Sequence, residues 1–238
     1  MTAHDTRRTI DAIWRIESAR LIAGLARMVR DVGLAEDLAQ DALLIALEKW
    51  PKTGIPDNPG AWLMATAKRR AIDQLRRRKR LERKYEELGR DEESRGQEPS
   101  EFDAVLNGAD IGDDLLRLIF TTCHPILSPE ARVALTLRLL CGLTTAEIAR
   151  AYLVPEATVA QRIVRAKRSL AEARVPFEMP EPQERKARLN SVLEVIYLMF
   201  NEGYVATSGD GWLRPTTSKC VLFAILPEVH NGGSAKPP

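Results

Sequence analysis

The 238-residue chain contains few of the residue patterns that build catalytic centres, metal sites or disulfide frameworks. Its three cysteines form no CxxC pair, which argues against both a disulfide framework and a zinc site. Cys123 and His124 are adjacent, but no second pair of cysteine or histidine residues lies at ligand spacing. No serine–histidine–aspartate, paired-carboxylate or glycine-loop pattern is present either. We therefore predict that the chain is not an enzyme and binds no metal or cofactor.

Aromatic residues and long apolar runs are also scarce. Aromatic residues make up 5% of the chain, while Ala, Leu and Arg are abundant, and this composition favours helices over a β-sandwich. The N-terminal segment is charged and lacks the apolar core of a signal peptide, and no apolar run approaches the length of a membrane span. These features predict a soluble cytoplasmic protein with no membrane contact.

Charges of each sign are concentrated in separate segments, although the net charge is only +2. Residues 66–84 contain ten Lys or Arg against two acids, residues 85–114 eleven acids against two Arg, and residues 150–174 six Lys or Arg against two acids. Blocks of like charge usually mark interaction surfaces or linkers. Two basic segments separated by an acidic one predict two modules that contact a polyanion, joined by a spacer that does not.

Helical periodicity predicts an all-α fold of two small domains joined by a linker. The domains are predicted at residues 8–82 and 113–175, the acidic flexible linker at 83–112, and a partial C-terminal extension at 184–238.

One helix is predicted over residues 34–50, ended by Pro51. Apart from its apolar side, this helix carries an acidic stripe with an apolar centre, formed by Asp37, Asp41, Leu44 and Glu48. The stripe is either a docking face for a basic partner or an ordinary solvated face.

The stretch from Trp62 to Arg80 predicts a helix with an apolar face and an opposite cationic face. The apolar face contains Leu63, Met64, Ala67, Ala71 and Leu75. The cationic face contains Trp62, Thr66, Arg69, Asp73, Arg76, Arg77 and Arg80. Like charges on one face repel unless an anion lies against them, so we predict contact with a phosphate backbone, with a solvated face as the alternative. Asp73 is expected to hold Arg69 and Arg77, and Trp62 is either a base-stacking platform or a half-buried core residue.

Two helices joined by a tight turn are predicted between Leu143 and Leu170. Thr144 and Glu147 have the spacing of a capping box that begins a short helix, and Pro155 begins a longer basic one. This arrangement is typical of a helix-turn-helix, with a plain helical hairpin as the alternative. The buried stripe of the second helix is predicted to contain Val159, Ile163, Ala166 and Leu170. Its outer side is predicted to contain Ala157, Gln161, Val164, Arg165 and Arg168.

Two kinds of DNA contact are predicted on this second helix. Gln161 can hydrogen-bond a base edge. The cations are better placed to clamp phosphates, and they are Arg162, Arg165, Lys167 and Arg168.

An amphipathic helix is predicted over residues 184–202, after which the helical pattern collapses. Its apolar side is predicted to contain Leu189, Val192, Leu193, Ile196 and Phe200. We expect this side to pack back on the second domain or to form a homodimer contact.

The chain resembles a bacterial RNA polymerase sigma factor of the extracytoplasmic function type, over roughly residues 8–175. Three stretches in order carry the resemblance, and they are AEDLAQDALL (35–44), NPGAWLMATAKRRAIDQLRRRKR (58–80) and LTTAEIARAYLVPEATVAQRIVRAKRSL (143–170). The phrases CHPILSPEARVAL and YLMFNEGY are similar to a subgroup with a C-terminal helical extension.

The resemblance implies a promoter-specificity subunit that docks on core RNA polymerase and helps to separate the DNA strands. It implies that the polymerase β flap is one contact and that the β′ clamp helices meet Asp37, Gln40, Asp41 and Leu44. It implies that the minus-thirty-five element is read by the helix at 155–171. It implies that the minus-ten element is engaged by the loop at 51–60 and by Trp62, Arg69, Arg76 and Arg77.

Two positions depart from the family pattern. Arg69 stands where many relatives have Asn, and Leu153 occupies a turn position usually held by Gly, where a left-handed backbone would cost about 1 kcal/mol.

Two other functions were considered. A stand-alone helix-turn-helix regulator would account for residues 143–171 and leave the cationic face without a purpose. A helical scaffold without DNA binding would tolerate charge reversal at Arg76 and Arg77.

Overall fold

The computed structural model describes residues 3–87 and 111–205. Within these ranges the chain forms α-helices and no strand, which confirms the predicted all-α fold. In chain order the helices are α1 (Ala3–Val29), α2 (Val32–Thr53), α3 (Pro59–Glu87), α4 (Ile111–Thr122), α5 (Pro129–Leu139), α6 (Thr145–Ala151), α7 (Glu156–Glu172) and α8 (Pro182–Val205). Most of the predicted acidic linker and the predicted extension beyond residue 205 lie outside the described residues.

Local signals fix both ends of α2. The Asp31 carboxylate accepts hydrogen bonds from the backbone N–H groups of Gly33 and Leu34 at 2.8 and 3.0 Å, which caps the N-terminus. The helix continues through Pro51 and ends before Gly54, whose φ is +86°. The prediction that Pro51 ends the helix is therefore wrong. In the last turn the missing proline N–H removes one helical bond, and the positive φ of glycine ends the helix three residues later.

The first three helices pack together around a core of leucine, tryptophan and alanine. α1 contacts both α2 and α3, and α2 contacts α3. Small buried side chains let α2 approach its neighbours closely, and they are Ala35, Ala39, Ala42 and Ala46. The apolar face predicted for α3 is confirmed, because Leu63, Ala67 and Ala71 are buried and Met64 packs against them.

The later helices form a second unit in which α7 packs on α5 and α6. Ser128 caps α5, its hydroxyl accepting a hydrogen bond from the Ala131 N–H at 3.3 Å. The capping box that begins α6 is confirmed: the Thr144 hydroxyl accepts from the Glu147 N–H at 3.2 Å, and the Thr144 N–H donates to the Glu147 carboxylate at 2.9 Å.

α8 packs back on α5 and α4. Its buried residues are Val192 and Val195, whereas Leu189 and Leu193 are exposed. The predicted apolar side is therefore rotated from the face that is buried. The apolar residues cover a wide arc of the helix, and the surface of α5 selects which part of that arc is covered.

The two units are in contact with each other. α1 packs against α4 and α5, and α2 packs against α7, so that the buried apolar residues form one continuous cluster. Arg27 of α1 lies 3.3 Å from the buried carboxylate of Asp114 in α4. Burial raises the pKa of Asp114 despite the opposing charges of Arg27 and Arg117.

In the described parts of the chain, no helix has the length and apolar character needed to cross a bilayer.

Candidate nucleic-acid interface

The four arginines on the cationic face of α3 are exposed. Arg69, Arg76, Arg77 and Arg80 all point away from the buried side of the helix. Among the residues that the structure describes, none of these four guanidinium groups forms an ion pair or a side-chain hydrogen bond. Several cations elsewhere in both units are paired with carboxylates, among them Arg27, Arg70, Arg138 and Lys167, whereas this face is an unneutralised patch of positive charge within the described residues. We call these four residues the α3 arginine face.

Asp73 lies on the α3 arginine face but does not hold its neighbours. Asp73 is exposed, and no ion pair joins it to Arg69 or Arg77 in the structure. The prediction that it fixes both arginines is therefore wrong. An exposed pair of this kind gains little in water because solvent screens the charges and ordering two long side chains costs entropy. The arginines remain free to rearrange around an anionic partner.

Trp62 lies at the start of α3 and is half-buried. Its ring meets the buried ring of Trp50 edge to face, with centroids 5.3 Å apart and planes at 65°. This contact joins α3 to the end of α2 and leaves part of the Trp62 ring at the surface.

The structure confirms the two faces predicted for α7. Val159, Ile163, Ala166 and Leu170 are all buried. The outer side is exposed and contains Ala157, Gln161, Val164, Arg165 and Arg168. Arg165 is free within the described residues, whereas Arg168 donates to the Glu172 carboxylate at 2.7 Å. This pairing raises the pKa of Arg168, which keeps its charge in place.

The remaining two predicted phosphate clamps are half-buried. Arg162 lines a groove between α5, α6 and α7, beside Tyr152 and Glu130. Lys167 turns away from solvent and forms an ion pair with Glu36 of α2. The four cations of α7 therefore divide into an outer pair, Arg165 and Arg168, one arginine in the groove, Arg162, and one lysine that is directed at the first unit.

The acidic stripe of α2 is confirmed as a surface feature. Asp37, Leu44 and Glu48 are exposed. Asp41 is half-exposed and pairs with Arg70 of α3, a contact that the sequence did not predict. Gln40 is half-buried, and its amide donates to Glu36 at 2.7 Å.

Glu36 is a buried carboxylate that sequence reasoning missed. Only 3% of its surface is exposed, and it accepts a hydrogen bond from Arg138 Nε at 2.8 Å in addition to the one from Gln40. The sequence did contain an indication that Glu36 is buried, because residue 36 lies on the same side of the helix as the buried Val32 and Ala39. A glutamate at an apolar position predicts a charged partner from elsewhere in the chain.

Cys123 and His124 connect helices of the second unit. The Cys123 thiol lies 3.8 Å from the Thr136 hydroxyl, and burial raises its pKa to about 11. His124 Nδ1 accepts the Ile126 N–H at 3.2 Å, and its Nε2 lies 3.1 Å from a guanidinium nitrogen of Arg188 in α8. Burial and, secondly, the Arg188 charge lower the pKa of His124, with Arg132 acting in the same direction and Glu184 against it.

Two stretches of the chain match known families. Residues 16–81 match the family Sigma-70 region 2, and residues 117–170 match the family Sigma-70, region 4. The first match covers α2 and most of α3, with part of α1, and the second covers half of α4 together with α5, α6 and most of α7.

Three relatives show what the chain is similar to. An uncharacterized protein of Rhizobium meliloti is 43% identical over 189 residues, which cover 79% of this chain and 44% of that protein. The probable ECF RNA polymerase sigma factor SigI of Mycobacterium tuberculosis is 27% identical over 190 residues, or 78% of this chain and 61% of that protein. The ECF RNA polymerase sigma factor SigK of Mycobacterium ulcerans is 30% identical over 158 residues, or 63% and 78%. The chain thus spans less than two thirds of the first two relatives.

Proposed function

The chain belongs to the ECF family of RNA polymerase sigma factors, and from this premise we propose that it is a promoter-specificity subunit of RNA polymerase. It would dock on the core enzyme, recognise two promoter elements and help to separate the strands. It would work in the cytoplasm, where polymerase and DNA are. The observation that carries the proposal is the α3 arginine face, a row of free guanidinium groups on an exposed helix surface.

The α3 arginine face is suited to the DNA backbone near the point of melting. Contact with phosphates would remove the repulsion between the four guanidinium groups. The arginines would in turn displace the counterions that otherwise surround the DNA. Trp62 offers the uncovered part of its ring to an unpaired base, while its edge contact with Trp50 keeps it in place. If about six phosphates are neutralised in all, the logarithm of the binding constant should fall with the logarithm of salt at a slope near −5.

The outer side of α7 is suited to the major groove of the upstream element. Gln161 is exposed and can donate to and accept from a base edge, while Ala157 is small enough to let the helix approach. Arg162, Arg165, Lys167 and Arg168 would contact phosphates and fix the register of the helix on the duplex.

The acidic stripe of α2 is suited to a basic surface of the core enzyme. Asp37 and Asp41 supply charge, Gln40 supplies a polar edge, and the exposed Leu44 supplies an apolar contact at the centre. An interface with an apolar centre and charged surroundings matches the usual anatomy of a protein–protein contact. We propose that these four residues bind the β′ clamp helices and that the second unit contacts the β flap.

Run-off transcription with core polymerase on a genomic library tests the proposal. We expect discrete transcripts only when the chain is added. The variant Arg76→Glu/Arg77→Glu should lose them, because it places four units of charge change on the α3 arginine face. The matched control is Arg7→Glu/Arg8→Glu, which makes the same charge change at two exposed arginines of α1 and should retain them. Equal loss in both variants, or no transcripts with the unaltered chain, would contradict the proposal.

A further inference from the structure

An exposed valine lies in the middle of the outer side of α7. Val164 is the ninth residue of this 17-residue helix, and 63% of its surface is exposed. The structure describes the whole of α7, and Val164 is the one large apolar side chain of the helix that is left in solvent. The side chain therefore calls for an explanation that the buried stripe of α7 does not supply.

Packing and helix propensity do not account for Val164. The buried residues of α7 are Val159, Ile163, Ala166 and Leu170, and Val164 contributes nothing to that stripe. A β-branched side chain at an exposed helical position is also slightly unfavourable, because it loses rotamer freedom against the preceding turn. Alanine or a long polar residue would favour the helix more. We therefore looked for the partner of Val164 outside the chain.

Val164 lies beside the side chain that is proposed to read a base. Gln161 is exposed three positions earlier, and residues three apart are neighbours on a helix surface. Ala157, also exposed, lies two turns before Val164 and almost in line with it. The axial distance between positions 161 and 164 is about 4.5 Å, slightly more than the rise of about 3.4 Å per DNA base pair. In a major groove the two side chains would thus face neighbouring base pairs.

The major groove offers one apolar group on the edges of its bases, the C5-methyl group of thymine. The other groups that the groove presents are hydrogen-bond donors and acceptors, with which a valine side chain forms no bond. Contact between the valine and thymine methyl groups removes apolar surface of both from water, which favours binding. At the same position, cytosine has no methyl group for the valine to cover.

We propose that Val164 is a specificity-determining residue that selects a thymine by its methyl group, within about two base pairs of the base that Gln161 reads. The inference rests on the proposed function, because it requires α7 to lie in the major groove of the upstream element. Glutamine pairs best with adenine. The upstream element should therefore have an A·T pair opposite each of these two side chains.

Removal of single methyl groups from the DNA tests the proposal. Duplexes enriched from a random pool by the chain, alone and on core polymerase, supply the upstream element. Each thymine of that element is then replaced by deoxyuridine, which pairs in the same way but lacks the methyl group. At one thymine, we expect the affinity of the unaltered chain to fall about fourfold, the effect of one buried methyl-sized group.

Two variants show whether Val164 is the residue that senses the methyl group. Val164→Ala should bind the thymine duplex about fourfold more weakly than the unaltered chain and should lose nothing further when uracil replaces thymine. Leu193→Ala is the matched control, because it removes an exposed apolar side chain from α8 of the same unit. It should keep both the affinity and the sensitivity to uracil.

The possible results separate the inference from the proposed function. The inference is overturned if no thymine methyl group affects binding, if no duplex is enriched, or if uracil weakens the unaltered chain and Val164→Ala equally. Loss of transcription with Val164→Ala on thymine and uracil templates alike would assign Val164 to a protein contact and overturn it as well. Methyl-sensitive binding without transcription contradicts the proposed function alone, whereas transcription from methyl-insensitive promoters contradicts the inference alone.

Discussion

At the scale of single residues, Leu153 is one of three described non-glycine residues with a left-handed backbone, the others being Arg30 and Arg174. Leu153 lies in the turn between α6 and α7 with φ at +51°, and 92% of its surface is exposed. The left-handed conformation expected for this turn is therefore kept, although leucine stands where glycine would be comfortable. The exposed side chain gains almost nothing from packing that could offset the strain.

We predict that Leu153→Gly stabilises the protein. Relief of the left-handed strain is worth about 1–2 kcal/mol, and the greater freedom of glycine in the unfolded chain offsets about half of it, which leaves a gain of up to about 1 kcal/mol. Thermal unfolding followed by circular dichroism measures the change. Leu153→Ala is the matched control, because it removes the side chain and keeps the strain. A glycine variant no more stable than the alanine variant would contradict this account.

Helix caps, whose partners lie within three residues in the chain, were the contacts that the sequence predicted well. Thr144 and Glu147 cap α6 across three residues, and Ser128 caps α5 across the same distance. Glu36 and Lys167 are 131 positions apart, and nothing local in the chain chooses one partner over another. The exposed side of α7 was also predicted correctly, because it depends only on the helical period, which is likewise a local property of the chain.

At the scale of helices, α8 shows how a neighbouring surface overrides amphipathic periodicity. The helix itself and the burial of Val192 were predicted correctly, but Leu189 and Leu193 are exposed and the buried Val195 was not predicted. Arg132 of α5 donates to the Ser191 hydroxyl at 3.0 Å and to the carbonyl oxygen of His124 at 3.2 Å, while Arg188 reaches the His124 ring. These polar contacts, together with the buried Val192 and Val195, fix the orientation of α8.

His124 makes the docking of α8 sensitive to pH. Its pKa is lowered in the folded protein, so the neutral ring is the form that the structure favours beside Arg188 and Arg132. The stabilisation is complete above the ordinary histidine pKa of about 6.5 and is lost as pH falls from there through the lowered value. Glu184 is the one carboxylate that opposes this shift, and it already pairs with Arg188.

We therefore expect α8 to detach more readily at about pH 5.5 than at about pH 7.5. Urea unfolding and limited proteolysis of the connection between α7 and α8 measure this. His124→Gln keeps a hydrogen-bond acceptor that does not titrate, and its stability should change less between the two pH values than that of the unaltered chain. All other titrating groups are shared by both proteins. An equal change in both would contradict the assignment to His124.

At the scale of the whole molecule, the two units behave as parts of one folded body. Sequence reasoning predicted two domains with an acidic spacer, because composition and charge change sharply along the chain. The contact between the units depends instead on α1, a long helix that packs against α2 and α3 on one side and α4 and α5 on another. The sequence pattern of α1 shows that the helix has apolar faces, but it does not show that one of them packs against α4 and α5, which lie far along the chain.

A shared core predicts that both units unfold together. Trp14, Trp50 and Trp62 all belong to the first unit, so in a Trp212→Phe background tryptophan fluorescence reports on that unit alone, whereas circular dichroism reports on all helices. We expect the two urea transitions to coincide, as in a two-state protein. Arg27→Gln should separate them, because it removes the cation that faces the buried Asp114 carboxylate across the two units, a loss of about 1–3 kcal/mol for a buried polar group that loses its partner. The exposed Arg30→Gln is the control. Separate transitions in the unaltered protein would show that the units unfold independently and would contradict the shared core.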